Sequence, residues 1–272
     1  MVAGAVAETR TSRLEQLLPG GKGVWIPIDH GASDFPCPGL EDLEQTIRGL
    51  VKAGVNAIVA QKGVVGRYHA LCEGTNTAMV VHYSVSTRHA GEDQSNKVLV
   101  GHADETLSRG GIAVSSQVNM GSPNEASMIE RMGELNRQAH HLALPSFGMV
   151  YARGEHLNPV DGDSTNGQIH AVRLAFELGC DAAKTTWIDN DSAFEAMTAC
   201  VPIPVLVAGG PRADNTLEVL TRVERAMALG AGGVCMGRQV FAHPDMVNMA
   251  RALMSIVHDG LTAQDAMALH GL

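Results

Sequence analysis

Val24-Trp25-Ile26-Pro27-Ile28-Asp29, Phe147-Gly148-Met149-Val150-Tyr151 and Asp181-Ala182-Ala183-Lys184 are apolar runs that each end in a reactive side chain. A carboxylate, a phenol and an amine at the carboxyl ends of different strands converge only if those strands run parallel. A (β/α)8 TIM barrel opens all such ends onto one face. Working outward, strands are expected at 24–29, 57–61, 78–82, 113–118, 146–151, 182–185, 204–208 and 233–237, which makes eight. Amphipathic stretches alternate with them, the pattern of a parallel α/β fold. Helices are expected at 40–53, 125–141, 167–178, 216–229 and 244–257, most of them stopped by a glycine such as Gly54, Gly179 or Gly230. Short terminal helices at 11–18 and 262–269 would plug the amino-terminal end or pack outside. An open doubly wound sheet competes, but it usually has fewer strands, and no GxGxxG follows the first one.

A length of 272 residues suits one barrel, which needs about 250. No Pro/Gly/Ser-rich linker or charge run divides the chain, so residues 1–272 read as one domain. Apolar runs such as 201–210 are broken by proline and glycine well short of the roughly 18–20 residues a membrane span needs. Residues 1–8 have no cationic leader and read as a frayed end rather than a signal. The net charge of −9, with no basic stripe, argues against nucleic acid as a partner. Five cysteines, an odd number without CxxC spacing, point to reduced thiols and a cytoplasmic protein.

Lys184 is the leading candidate for chemistry, because a lysine ending an apolar strand is expensive unless paired or used. Desolvation and a nearby cation, for which Lys62 at the end of the second strand is a candidate, would lower its pKa and free the amine to attack a carbonyl. The same lysine could also snorkel to solvent. Tyr151 could shuttle a hydroxyl proton beside an iminium, and Asp29 could trade protons with a carbinolamine. His30, if the strand alternation held, would point away from Asp29 and take no part. After the seventh and eighth strands, Gly209-Gly210 and Gly237-Arg238 stand where such barrels commonly hold phosphate, with Arg238 able to bind it bidentately. Lysine, tyrosine and aspartate with a phosphate clamp together suit a Schiff-base aldolase that needs no metal or other cofactor. Twelve histidines invite a metal, but none forms HxxxH or HxE. The polar loop 84–97 is long enough to touch substrate, and Arg88, His89 and Arg153 are available cations. A metal-dependent aldolase and a non-catalytic phosphosugar-binding barrel remain the alternatives.

Pro27-Ile-Asp-His-Gly31, Lys62-Gly63, Asn119-Met-Gly-Ser122, Tyr151-Ala-Arg-Gly154, Lys184-Thr185, Ala208-Gly-Gly-Pro211 and Gly237-Arg238 resemble the motifs of the archaeal-type class I aldolase family. That family includes archaeal fructose-bisphosphate aldolase and the aminodideoxyheptulosonate synthases. The resemblance implies a (β/α)8 barrel with a Schiff-base lysine at Lys184, an acid/base tyrosine at Tyr151 and an assisting aspartate at Asp29. It also implies a ring-shaped homo-oligomer, often a decamer. The Asp29-His-Gly31 stretch with Pro38-Gly39-Leu40, and the loop ending Lys97-Val-Leu-Val-Gly101, are more similar to the heptulosonate-synthase branch. Members of that branch join aspartate semialdehyde to an enamine from a phosphorylated ketose, one type using dihydroxyacetone phosphate and another acting as a transaldolase. Gln61, Gln117 and Trp187-Ile188-Asp189 depart from the branch pattern and are expected to line the substrate pocket.

Overall fold

Along a strand successive side chains point to opposite sides, so a closed parallel sheet sorts the chain into a filled interior and a helix-covered exterior. The computed structural model describes residues 2–272, with side chains from Thr9 onward. Eight parallel strands close into a barrel: β1 (Gly23–Pro27), β2 (Ala57–Gln61), β3 (Ala78–His82), β4 (Ala113–Met120), β5 (Ser146–Ala152), β6 (Ala182–Thr185), β7 (Val205–Ala208) and β8 (Gly233–Cys235). Each strand pairs with its neighbours in chain order, and β1 pairs with β8, Gly23 lying opposite Gly233. Closure excludes the open doubly wound sheet.

The strand-end residues at the mouth sit slightly beyond the ladders. The Ile28 N–H donates to Val59 O at 2.8 Å and the Met236 N–H to Trp25 O at 3.1 Å, so pairing runs one residue past β1 and β8. Asp29 then turns into helical dihedrals (φ −72°, ψ −8°) ahead of the one-turn helix His30–Ser33. Gly237 likewise precedes the one-turn helix Arg238–Phe241.

Inward residues such as Val59, Val80, Phe147, Met149 and Leu206 fill the interior, and the alternate residues pack under the outer helices. The floor is apolar. Leu17 and Leu18, from the helix Val2–Leu17 and its exit, lie under Trp25, whose indole N–H donates to Leu17 O at 2.9 Å. The Trp25 and Phe147 ring centroids are 4.4 Å apart. Burial of each leucine is worth about 1.5–3 kcal/mol, which holds the floor shut against water. This is the expected plug, on a helix that starts earlier than expected and takes in the segment expected to fray. Met1 and the side chains up to Glu8 lie outside the described residues.

The helix expected from residue 40 begins at Leu43, because the Asp42 carboxylate caps it by accepting from the Gln45 N–H at 3.0 Å. It stops at Gly54, whose φ of +79° suits a residue without Cβ. Helix Ala263–His270 packs on the outside through Ala263 and Ala266. Two elements between the expected ones bear on the site's surroundings. Helix Asp191–Ala199 is capped by Asn190, and an antiparallel hairpin, Ser84–Val85 with Val98–Leu99, carries the polar loop after β3. Among the described residues no helix is long and apolar enough to cross a membrane.

Candidate active site

Interior polarity rises toward the mouth. Above the apolar layers, β1, β3, β4, β5, β6 and β8 contribute Asp29, His82, Ser115, Gln117, Asn119, Tyr151, Lys184 and Cys235. The three candidates from the opening strand runs do converge. Lys184 is buried, at 7% exposed, and its amine lies 4.0 Å from the Met149 thioether. Tyr151 is equally buried, with Arg153 stacked 4.5 Å above its ring.

The electrostatics at Lys184 differ from expectation. Burial pushes its pKa down, but the Cys235 thiol, the Tyr151 phenol and the Asp29 carboxylate surround it and raise it above the ordinary lysine value. The cation expected to lower it, Lys62, is held elsewhere. Its ammonium donates to Glu105 at 3.0 Å, and Glu105 also pairs with Arg109 at 2.6 Å. The chain turns straight from β2 into the helix Lys62–Tyr68, which places Lys62 on a helix rather than at an inward strand position. Burial opposes the Asp29 carboxylate, but His82, His30 and Lys184 outweigh it and hold the pKa below the usual value. Burial raises Tyr151, and it pushes Cys235 up to about 11. At neutral pH the site therefore holds an ammonium and a carboxylate beside a neutral phenol and thiol. An iminium carries the same positive charge on the same nitrogen, so these surroundings suit the covalent intermediate as well as the resting lysine.

His82 is a functional candidate that strand-end reasoning passed over. It is 1% exposed, with Nδ1 2.9 Å from Ser115 Oγ and Nε2 3.8 Å from Asp29 Oδ2. Burial, helped by Lys184 and Lys97 and opposed by Asp29, pushes its pKa from 6.5 down to about 4. Between these values the unfolded chain binds a proton that the native chain refuses, so stability falls as pH drops from 6.5 toward 4. The full effect is about 3 kcal/mol. His82→Gln is expected to flatten this acid limb when urea midpoints are followed against pH; limbs of equal slope would contradict the assignment.

His30 does not point away. The chain has left strand geometry at Asp29, so His30 Nδ1 lies 3.6 Å from Asp29 Oδ1, while its ring rests edge-on against Phe241 at 5.2 Å. On this side of the mouth the loops after β7 and β8 meet. The Gln239 amide donates to Gly209 O at 3.0 Å and also to Pro211 O, and its carbonyl accepts from the Ala213 N–H at 3.1 Å. A Cβ on Gly237 would lie 2.6 Å from Pro27 O, so this crossing needs glycine. Gly210 has a φ of +65° and open space around it, and Arg238 is exposed beside these loops.

Opposite them, the hairpin after β3 is tied to the mouth. Asn119 donates to Ser95 O at 2.6 Å and accepts from Arg153 Nε at 2.9 Å and from the Gln117 amide at 2.9 Å. Arg88 is drawn off to Asp34 at 2.7 Å, and His89 is exposed. Gln61 and Gln117 lie at the mouth as expected, with Gln61 donating to Ser84 O at 3.0 Å. Trp187 does not. It packs on Phe194 with centroids 4.7 Å apart and lines a separate cavity of about 770 Å³, with Met120, Leu157, Val160 and Gln168. Gln168 bonds Thr185 Oγ1 at 2.7 Å and Ala152 O at 3.1 Å, which ties this cavity's lining to the ends of β5 and β6. Among the described residues no group of three His, Cys, Asp or Glu side chains is placed to hold a metal ion. All five cysteines are free.

Comparisons with known proteins agree with this architecture. The family model described as DeoC/LacD family aldolase matches residues 24–243. The 2-amino-3,7-dideoxy-D-threo-hept-6-ulosonate synthase of Halobacterium salinarum is 34% identical over 97% of both chains. The 2-amino-4,5-dihydroxy-6-oxo-7-(phosphonooxy)heptanoate synthase of Streptomyces griseus is 36% identical over 90% of this chain and 88% of its own. A solved Schiff-base-forming fructose-1,6-bisphosphate aldolase superposes with a TM-score of 0.81 at 26% identity, over 92% of this chain and all of its own. A closed barrel whose mouth gathers lysine, tyrosine and aspartate, matched by an aldolase family model across every one of its strands, places this chain in the DeoC/LacD aldolase family.

Proposed function

We propose that this aldolase is a metal-independent class I synthase that joins dihydroxyacetone phosphate to L-aspartate 4-semialdehyde, giving 2-amino-4,5-dihydroxy-6-oxo-7-(phosphooxy)heptanoate. The observation that carries the reading is the buried Lys184 enclosed by Tyr151, Asp29 and Cys235, where the Asp29 carboxylate favours a cationic nitrogen at the head of the barrel. Lys184 attacks the donor ketone after passing one proton to Asp29. Asp29 returns that proton to the carbinolamine oxygen, water leaves, and the nitrogen is again positive as an iminium. The iminium acts as the electron sink that makes the donor's C3 proton removable. Asp29, a carboxylate again, takes the C3 proton as the C–H electron pair moves into the iminium. After the enamine attacks the aldehyde, Tyr151 donates its phenol proton to the new alkoxide and recovers one from Asp29. Water hydrolyses the product iminium to free Lys184. Donor phosphate rests on the loops at Gly209, Gly210 and Gly237, with Arg238 assisting. The family resemblance and the free thiols support a homo-oligomer, of decameric ring type, working in the cytoplasm.

Borohydride with dihydroxyacetone phosphate should add one reduced donor mass to the intact protein, and the absence of an adduct would end the Schiff-base reading. Aspartate semialdehyde should exceed glyceraldehyde 3-phosphate by at least ~10²-fold in kcat/KM, since a site built to hydrogen-bond its substrate rejects mismatches by up to ~10⁴-fold. Equal rates would favour a sugar-bisphosphate aldolase. The identity to the hept-6-ulosonate synthase of Halobacterium salinarum favours one second reading, transaldolase-type transfer from a six-carbon deoxyketose phosphate, which a strict need for that donor would reveal.

A further inference from the structure

Most of the cations that could serve the mouth are already engaged. Lys62 is held by Glu105 and Arg88 by Asp34, Arg109 has the Glu105 carboxylate within 3 Å, and Arg238 stands with the loops assigned to donor phosphate. Lys97 and Arg153 differ. The Lys97 ammonium has the Ser86 hydroxyl at 2.6 Å, and Arg153 spends only its Nε, on Asn119 at 2.9 Å. Neither pairs with a carboxylate among the described residues, although the chain has 29 Asp and Glu against 20 Lys and Arg. A shortage of acids does not explain it.

Both cations are also held in place. The Lys97 backbone is pinned to the helix Glu125–His141, its carbonyl accepting from Arg131 at 2.9 Å while the adjacent Asn96 accepts from the same guanidinium at 2.6 Å. Asn119 joins Arg153 to the hairpin through Ser95 O at 2.6 Å. One residue therefore ties the arginine to the segment that carries the lysine. Lys97 is half-buried, and burial followed by repulsion from Arg153 lowers its pKa, with Asp29 opposing. Two positive charges kept within reach of each other and without an acid are a standing cost that an anion would remove.

We infer that Lys97 and Arg153 form an anion clamp for the electrophilic partner, so that the enzyme selects aldehydes bearing a carboxylate a few carbons from the reacting carbon. The inference rests on the function proposed above and names the residues that set its acceptor class. Donor phosphate is assigned to the β7 and β8 loops, and Lys184 and Tyr151 stand at the mouth between those loops and the hairpin. An aldehyde whose oxygen takes a proton from Tyr151 sits beside the guanidinium stacked on that ring at 4.5 Å. The arginine supplies two free fork donors and the lysine a compact point charge, a pairing suited to a carboxylate.

The test compares succinate semialdehyde with its neutral counterpart 4-oxobutanamide, each with dihydroxyacetone phosphate, in wild type, Lys97→Met and Lys97→Arg. Wild type should prefer the carboxylate by about 10²-fold in kcat/KM, the scale of losing charge-assisted hydrogen bonds. Lys97→Met should erase at least ~10-fold of that preference through the KM for the charged aldehyde, and Lys97→Arg should restore most of it. Equal losses for both aldehydes would make Lys97 merely structural, and an unchanged preference would remove it from the clamp. Borohydride adducts with donor alone, measured in parallel, separate the two ideas. An adduct with no charge preference sinks the clamp and leaves the synthase reading standing, whereas a wild type that forms no adduct sinks the synthase reading itself.

Discussion

Lys184→Met is expected to remove turnover by at least ~10³-fold and to abolish the donor adduct seen after borohydride reduction. Methionine has nearly the length of lysine and would lie beside Met149, whose thioether is 4.0 Å from the amine, so the interior should stay filled. Thermal unfolding of the variant checks that the barrel survives. In wild type the adduct should map to the peptide containing Lys184. Labelling at Lys62 instead would refute the assignment and would be hard to reconcile with the ion pair that occupies that side chain at 3.0 Å. The electrostatics sharpen this expectation. The surroundings of Lys184 prefer a positive nitrogen, so replacing it leaves Asp29 without its buried cation, and the Asp29 pKa should rise toward the ordinary range in the variant.

The second large effect belongs to Tyr151. Tyr151→Phe keeps the ring on which Arg153 stacks and removes only the hydroxyl, so losses can be read as chemistry rather than packing. Carbon–carbon bond formation should slow by roughly 10²–10⁴-fold, while the borohydride adduct with donor still forms. Single-turnover rates separate these steps. Near-normal turnover would reduce the phenol to a structural role, and loss of the adduct would show that Tyr151 also governs entry to the covalent intermediate.

The barrel was readable because β-branched runs, glycine helix stops and residue-level spacing repeat from Val24 to Cys235. The convergence of Asp29, Tyr151 and Lys184 was readable for the same reason, since parallel strands must end on one face. What escaped the sequence depends on side chains meeting across strands. His82 and Ser115 are 33 residues apart and meet only through the β3–β4 register. Lys97 is legible in the sequence only as the end of a polar loop long enough to touch substrate, and its fixed position depends on a hairpin pairing and on Arg131 from a distant helix. The direction of the Lys184 shift was misjudged because the relevant neighbours come from β1, β5 and β8, whereas Lys62, nearest by motif, leaves the strand into a helix. Trp187 is expected in the pocket because Trp187-Ile188-Asp189 departs from the branch pattern after the lysine motif, but the strand ends at Thr185 and the indole packs on Phe194 instead.

The ladder that seals the barrel joins Gly23 to Gly233, about 210 residues later in the chain. A contact so distant in sequence carries a large loop-closure cost and is expected late in folding. Asp29 leaves the ribosome early, but its setting depends on Lys184 from β6 and on the Gly237 crossing beyond β8. A nascent chain that has emerged only as far as β6 thus possesses Lys184 without the completed site, and the full set of its neighbours arrives together with topological completion. Under the function proposed above, that order of assembly leaves the amine without a directed reaction until the walls that hold the donor are in place.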